Sequence, residues 1–87
     1  MELNYFKIGH VAICSIYGSN NDTLTNTEVC FTLPFKNDSI SSIYIKDQIA
    51  TSYRFTIPSN SNEVWYNGPT ISANEFIPRV TFIVLSK

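Results

Sequence analysis

Charge is scarce in this chain. Six Lys and Arg stand against seven Asp and Glu in 87 residues, 15% in all, for a net charge of −1. An average soluble domain carries about 25%. There is no basic run, which excludes binding to duplex nucleic acid by phosphate neutralisation. Twelve aromatic residues (one Trp, five Tyr, six Phe) could stack single-stranded bases. They alternate as strand residues do, however, and no Lys/Arg groove accompanies them, so no nucleic-acid partner is expected. Histidine is reduced to His10 and cysteine to Cys14 and Cys30. That pair lacks metal-ligand spacing, and one histidine cannot complete a site, so neither metal nor cofactor is expected. The two cysteines are expected to be free thiols made in a reducing cytosol; a disulfide would need neighbouring strands and export. No signal-peptide pattern follows Met1, and no apolar run is long enough for a membrane-spanning helix. Strand-like sequence begins at once after Met1, which fits either a short complete protein or the last domain of a longer one.

Catalytic patterns are also missing. A nucleophilic triad needs a nucleophile, a base and an orienting acid. The one base, His10, reads as lying inside a strand, far from any Gly-x-Ser-x-Gly turn. Paired carboxylates could hydrolyse a glycoside. Yet Glu2, Asp22, Glu28, Asp38, Asp47, Glu63 and Glu75 fall mostly in turns or at strand ends, and no spacing forces two of them together. The expectation is a protein that is not an enzyme.

What the chain does have is apolar content, 44% of residues, arranged in short alternating runs. Eighty-seven residues make one domain, 1–87. A domain of this size buries only about 60–70% of its unfolded surface, so this much apolar sequence hints at a subunit interface. Strands are predicted at Leu3–Ile8, His10–Tyr17, Thr27–Leu33, Ile40–Lys46, Ile49–Ile57, Glu63–Tyr66 and Arg79–Leu85. The second strand is apolar on both faces: Val11, Ile13 and Tyr17 on one, Ala12, Cys14 and Ile16 on the other. Such a strand is usually covered on both sides. In the third, Val29, Phe31 and Leu33 are predicted inward. In the fifth, Ile49, Thr51, Tyr53, Phe55 and Ile57 face the core, while Arg54 and Thr56 face out. Lys46-Asp47 reads as a tight reversal, Asn67-Gly68-Pro69 as a breaker whose Asn-Gly pair suits positive φ. One turn of helix is expected at Ala73–Phe76. No helical periodicity extends over ten residues, so the fold class is all-β: a small antiparallel sandwich or barrel of six to seven strands.

Four outward residues suggest a binding surface: Arg54, Thr56, Trp65 and Arg79. If their strands meet, an aromatic plate, two guanidiniums and small hydroxyls border one shallow site. A sugar's apolar face stacks on such a ring, and polar side chains take its hydroxyls. Arginine adds bidentate recognition of phosphate or carboxylate. The alternative is that Trp65 is a core or interface residue and the arginines are solvated.

Three motifs in the same stretch carry a resemblance. Ile57-Pro58-Ser59 closes a strand, Trp65 is followed by Gly68-Pro69-Thr70, and Pro78-Arg79 leads into the final strand. Lys7-Ile8-Gly9-His10-Val11-Ala12 and, later, Leu33-Pro34-Phe35 resemble the opening of many phage tail-fibre tip domains. Together they resemble the C-terminal head domain of receptor-binding proteins from phages of lactococci and related Gram-positive bacteria. The resemblance implies a small β barrel or sandwich, assembled as a homotrimer at the tail tip. It implies binding to host cell-wall saccharide or glycerol-phosphate polymer, contacts with other tail or baseplate proteins, and residence in the virion after synthesis in the bacterial cytoplasm. The family's sugar-binding Trp and Arg fall on Trp65 and Arg79. Its His-x-Asp falls on Arg54-Phe55-Thr56, where neither residue is present. Arg54 makes that site more cationic, which favours a phosphate-bearing polymer. The other implied reading is a structural or adaptor domain of the tail that docks proteins and binds no glycan.

Overall fold

The computed structural model describes residues 1–46 and 52–86, with side chains for 1–43 and 53–86. Seven strands form two antiparallel sheets, and no helix occurs among the described residues. Strands β1 (Glu2–Ile8), β2 (Val11–Gly18) and β7 (Ile77–Leu85) lie in the order β1-β2-β7. Strands β3 (Glu28–Thr32), β4 (Ser41–Lys46), β5 (Ser52–Ile57) and β6 (Glu63–Tyr66) lie in the order β3-β6-β5-β4. The fold is thus the all-β sandwich that turn spacing predicts. In the larger sheet β4, β5 and β6 follow one another, and β3 returns beside β6, a Greek-key arrangement.

Local chemistry explains the joints. Ile8 pairs with Val11, leaving Gly9-His10 as a two-residue hairpin turn. Gly9 sits at φ +58, the conformation glycine adopts without strain at the first position of such a turn. His10 therefore belongs to the turn and not to the strand expected from residue 10. Pro78 lies within β7, which tolerates it because β7 is an edge strand. The reversal expected at Lys46-Asp47 and the strand start expected at Ile49 and Thr51 lie outside the described residues.

The core is the space between the sheets. Ala12, Cys14 and Ile16 of β2 and Phe82 and Val84 of β7 face Tyr53, Phe55 and Ile57 of β5 and Val64 and Tyr66 of β6, all buried. The alternation read from the sequence accounts for each of these positions. The Phe55 and Tyr66 rings pack at 5.4 Å between centroids. Each large apolar side chain buried this way contributes about 1.5–3 kcal/mol.

Three expectations are corrected. Val29 is exposed at 41%, not inward. The β3–β6 register slips between Val29 and Phe31, and an inserted residue of this kind reverses the facing of the strand on one side of it. Phe31 and Cys30 are both half-buried against the core, and the Cys30 thiol donates to the Val64 carbonyl at 3.3 Å. Ala73–Phe76 is a turn, not a helix: the Glu75 N–H bonds the Ser72 carbonyl at 3.0 Å, and Asn74 has φ 65. Gly68 does not use positive φ; that conformation falls instead on Thr27, Asn60 and Asn74 among the non-glycines. Gly68 is needed for space, because a Cβ there would lie 2.6 Å from the Tyr66 hydroxyl oxygen. That hydroxyl donates to the Pro69 carbonyl.

Two clasps close the sandwich. Leu24 and Ile71, from the two long connections, form a backbone bridge with both N–H···O distances at 2.8 Å, and both side chains are buried. At the other clasp, Asn37 is fully buried. It bridges Ser86 just beyond β7, donates from its backbone to Ser61 at 2.9 Å, and donates from Nδ2 to the Ile57 carbonyl at 2.9 Å. The Asn60 N–H returns to the Asn37 carbonyl at 2.8 Å. One residue in the β3–β4 connection thereby ties the end of one sheet to the β5–β6 turn of the other.

Candidate functional site on the outer face of the four-stranded sheet

Strand alternation turns Tyr53, Phe55 and Ile57 inward, so Arg54 and Thr56 point out of the sandwich. The same rule on β6 buries Val64 and Tyr66 and turns Glu63 and Trp65 outward. Pairing then decides which of these meet. Thr56 is the register partner of Trp65. Val29 pairs with Trp65 on one side, and Ser42 pairs with Thr56 on the other. Val29, Trp65, Thr56 and Ser42 therefore cross the sheet as one row. Arg54 stands two residues along β5 from Thr56, with its carbonyl held by the Asn67 N–H at 2.7 Å.

This face combines a half-buried indole, a hydroxyl, an exposed guanidinium and, at the edge, the Glu63 carboxylate. The Thr56 Oγ1 is buried and has no hydrogen-bond partner. A hydroxyl left unmade in this way costs about 1–3 kcal/mol. Such groups are rare in folded proteins; here the oxygen is turned in beside the sheet and it is the Thr56 side chain as a whole, next to the indole, that contributes to the face.

Arg79 does not join this group. It lies on β7 in the other sheet, with its guanidinium 4.2 Å from the centroid of the Tyr17 ring. The Tyr17 hydroxyl donates to Glu2 Oε2 at 2.8 Å and accepts from Asn4 Nδ2 at 3.1 Å. Arg79 is thus committed to a surface cluster of its own, and the expected joint site with Trp65 is corrected to Arg54, Thr56 and Trp65. The reason is topological. Strand β6 has β5 on one side and β3 on the other, so β7 finds no free edge there and pairs with β2 instead.

A second grouping was not legible in the sequence. His10, Asp38, Leu85 and Ser86 line a shallow cavity of about 640 Å³. Backbone bonds assemble it: Ser86 N–H to the His10 carbonyl and Asp38 N–H to the Leu85 carbonyl, both 2.7 Å. The residue types are those of a catalytic triad, but the contact that would activate the serine is missing. Ser86 Oγ is buried with no hydrogen-bond partner, so His10 does not hold its proton. No spacing rule could have found this cavity, since the three polar residues come from separate ends and loops.

The thiols are free, on strands of different sheets. Burial pushes the Cys14 thiol up to about 11 and the Cys30 thiol up to about 12. Both are poor nucleophiles at neutral pH, where the thiolate is the reactive form. Among the described residues no three His, Cys, Asp or Glu side chains gather to hold a metal ion. Among the described residues no helix is long and apolar enough to cross a membrane. Comparison with protein-family models, curated proteins and solved structures finds no match to this chain.

Proposed function

We propose that this domain is a non-catalytic binding module of a phage tail tip, and that its ligand is host cell-wall saccharide or glycerol-phosphate polymer. The observation that supports the reading is the common outward face of Arg54, Thr56 and Trp65. In this reading the indole takes the apolar face of a sugar ring. Arg54 binds a phosphate or a hydroxyl oxygen, and Thr56 and Ser42 continue the row beside the indole. The tail-tip setting rests on the resemblance at Ile57-Pro58-Ser59, Gly68-Pro69-Thr70 and Pro78-Arg79; the homotrimer that the resemblance also implies competes with the two-fold assembly argued below, and the mass of the chain in solution decides between them.

The test uses the single tryptophan as its own reporter. Purified protein is titrated with glycerol phosphate and with cell-wall polysaccharides from a panel of Gram-positive hosts, following Trp65 emission. The expected result is a saturable change, weakened by an order of magnitude or more in Arg54→Ala and unchanged in Arg79→Ala. Flat titrations across the panel with folded protein refute the saccharide reading.

The adaptor reading, a tail or baseplate domain that docks protein and binds no glycan, is favoured by a different observation. Arg79 is spent on Tyr17, and the sheet that carries it exposes apolar side chains where a solvated face would be polar. Loss of assembly without any glycan response is its signature.

A further inference from the structure

The outer face of the β1-β2-β7 sheet divides into two halves. At one end Glu2, Asn4, Tyr17 and Arg79 form the polar cluster described above. At the other end six apolar residues stand in two cross-strand rows. Phe6 pairs with Ile13 and Ile13 with Ile83; Ile8 pairs with Val11 and Val11 with Leu85. All six are exposed, by 41% to 67%. The inward residues of β2 fill the core, so these six are a second, separate apolar surface.

From this face we propose that the protein is a two-fold symmetric dimer, with the outer faces of two β1-β2-β7 sheets stacked on each other. The proposal does not depend on the saccharide reading, whose residues lie on the other sheet. Three properties point to a second copy as the occupant. The first is area. At these exposures the rows offer roughly 600 Å² of apolar surface, at the top of the range for the largest patch of a monomer. A standard interface takes about 800 Å² from each partner, and the adjoining row of exposed Asn4, half-exposed Ser15 and exposed Thr81 extends the face towards that area.

The second property is charge. None of the six residues is ionisable, and the whole chain carries only −1, so two copies approach without appreciable repulsion. With the two-fold axis through the apolar rows, Glu2 and Arg79 fall outside the overlap. The contact then has an apolar centre and a polar rim. The third property is shape. The strip spans three strands, about 10 Å between outer strands, and about 7 Å along them. One facing copy covers it whole in an isologous contact. A three-fold arrangement would divide it between two neighbours and leave each contact too small. A groove of about 240 Å³ at the strip's edge, lined by Asn4, Tyr5, Phe6, Ile13 and Ser15, can receive a side chain from the facing copy.

The experiment is light scattering and sedimentation of the chain, from low micromolar to near-millimolar concentration, on the parent and on Ile83→Lys, Phe6→Ser and Thr32→Lys. Far-ultraviolet circular dichroism and Trp65 emission report folding, because Trp65 lies on the other sheet. Phe6→Ser, at an edge strand and a largely exposed position, carries the test if Ile83→Lys misfolds. The expected parent mass is twice 9.9 kDa. It should fall to a single chain in both face variants, or show at least a tenfold weaker association, and persist in Thr32→Lys on the opposite sheet. A monomeric parent at every concentration overturns the proposal, as does an assembly that the face variants leave intact. A three-chain mass overturns the two-fold arrangement.

Discussion

Replacing Asn37 by alanine should cost the fold more than any surface change. Asn37 is fully buried, and its Nδ2 donates to the Ile57 carbonyl at 2.9 Å. Its Oδ1 accepts from the Ser39 N–H at 3.3 Å, a weaker contact. Its backbone bonds to Ser61 and Asn60 survive the substitution. What is lost is one good buried hydrogen bond and the packing of an amide, and a carbonyl is left short of a donor. A buried group left unsatisfied costs about 1–3 kcal/mol, and the vacated volume adds to it, for about 2–4 kcal/mol in all. In a domain of this size each kcal/mol moves the melting temperature by about 4–8 °C. Asn37→Ala should therefore melt about 8–32 °C below the parent in a calorimetric or circular-dichroism scan. Asn37→Asp sharpens the test. The new carboxylate accepts but cannot donate to Ile57, and it buries a charge, so this variant should be at least as unstable at neutral pH. Its burial raises the folded pKa of that carboxyl, so stability is lost as pH rises above the unfolded value and partly returns on acidification. A melting temperature within about 4 °C of the parent for Asn37→Ala would refute the claim that this residue clasps the two sheets.

Two further outcomes follow from the burial of particular groups. The Cys14 and Cys30 thiols, raised from an ordinary 9.0 to about 11 and about 12 by burial, stay protonated in the folded chain after they ionise in the unfolded one. The unfolded state then binds fewer protons, so stability is fully present below pH 9 and falls as pH rises from there towards the folded values; urea midpoints measured across this alkaline range should fall less steeply in a variant lacking both thiols. Thr56→Val removes the unpartnered hydroxyl and should leave the unfolding free energy, measured by urea titration, equal to or above that of the parent by up to about 1 kcal/mol.

The candidate surface and the assembly face make different demands on the same small domain. Arg54, Thr56 and Trp65 lie on the outside of one sheet, and the six apolar residues on the outside of the other. A dimer stacked through β1-β2-β7 would leave both copies of the Trp65 face open to ligand. That arrangement would present two sites facing away from each other, which suits a multivalent polymer better than a small sugar.

Period-two alternation, proline and the turn residues were sufficient to read seven strands and an all-β fold, and to turn Tyr53, Phe55 and Ile57 inward and Arg54 and Thr56 outward. These are local properties, because successive side chains of a strand must point to opposite faces. The double apolar face of β2 was also visible, and with it the hint of a second covered surface. The sequence could not say which sheet a strand joins. Arg79 alternates as a binding residue should, but β3 occupies the edge of β6, so β7 crosses to β2 and carries Arg79 away from Trp65. Nor could it show the slip between Val29 and Phe31, where pairing across the sheet overrides the pattern along the strand. The gathering of Asn37, Ile57, Asn60, Ser61 and Ser86 into one clasp joins residues up to 49 positions apart. Only the packed sheets bring them within hydrogen-bonding distance.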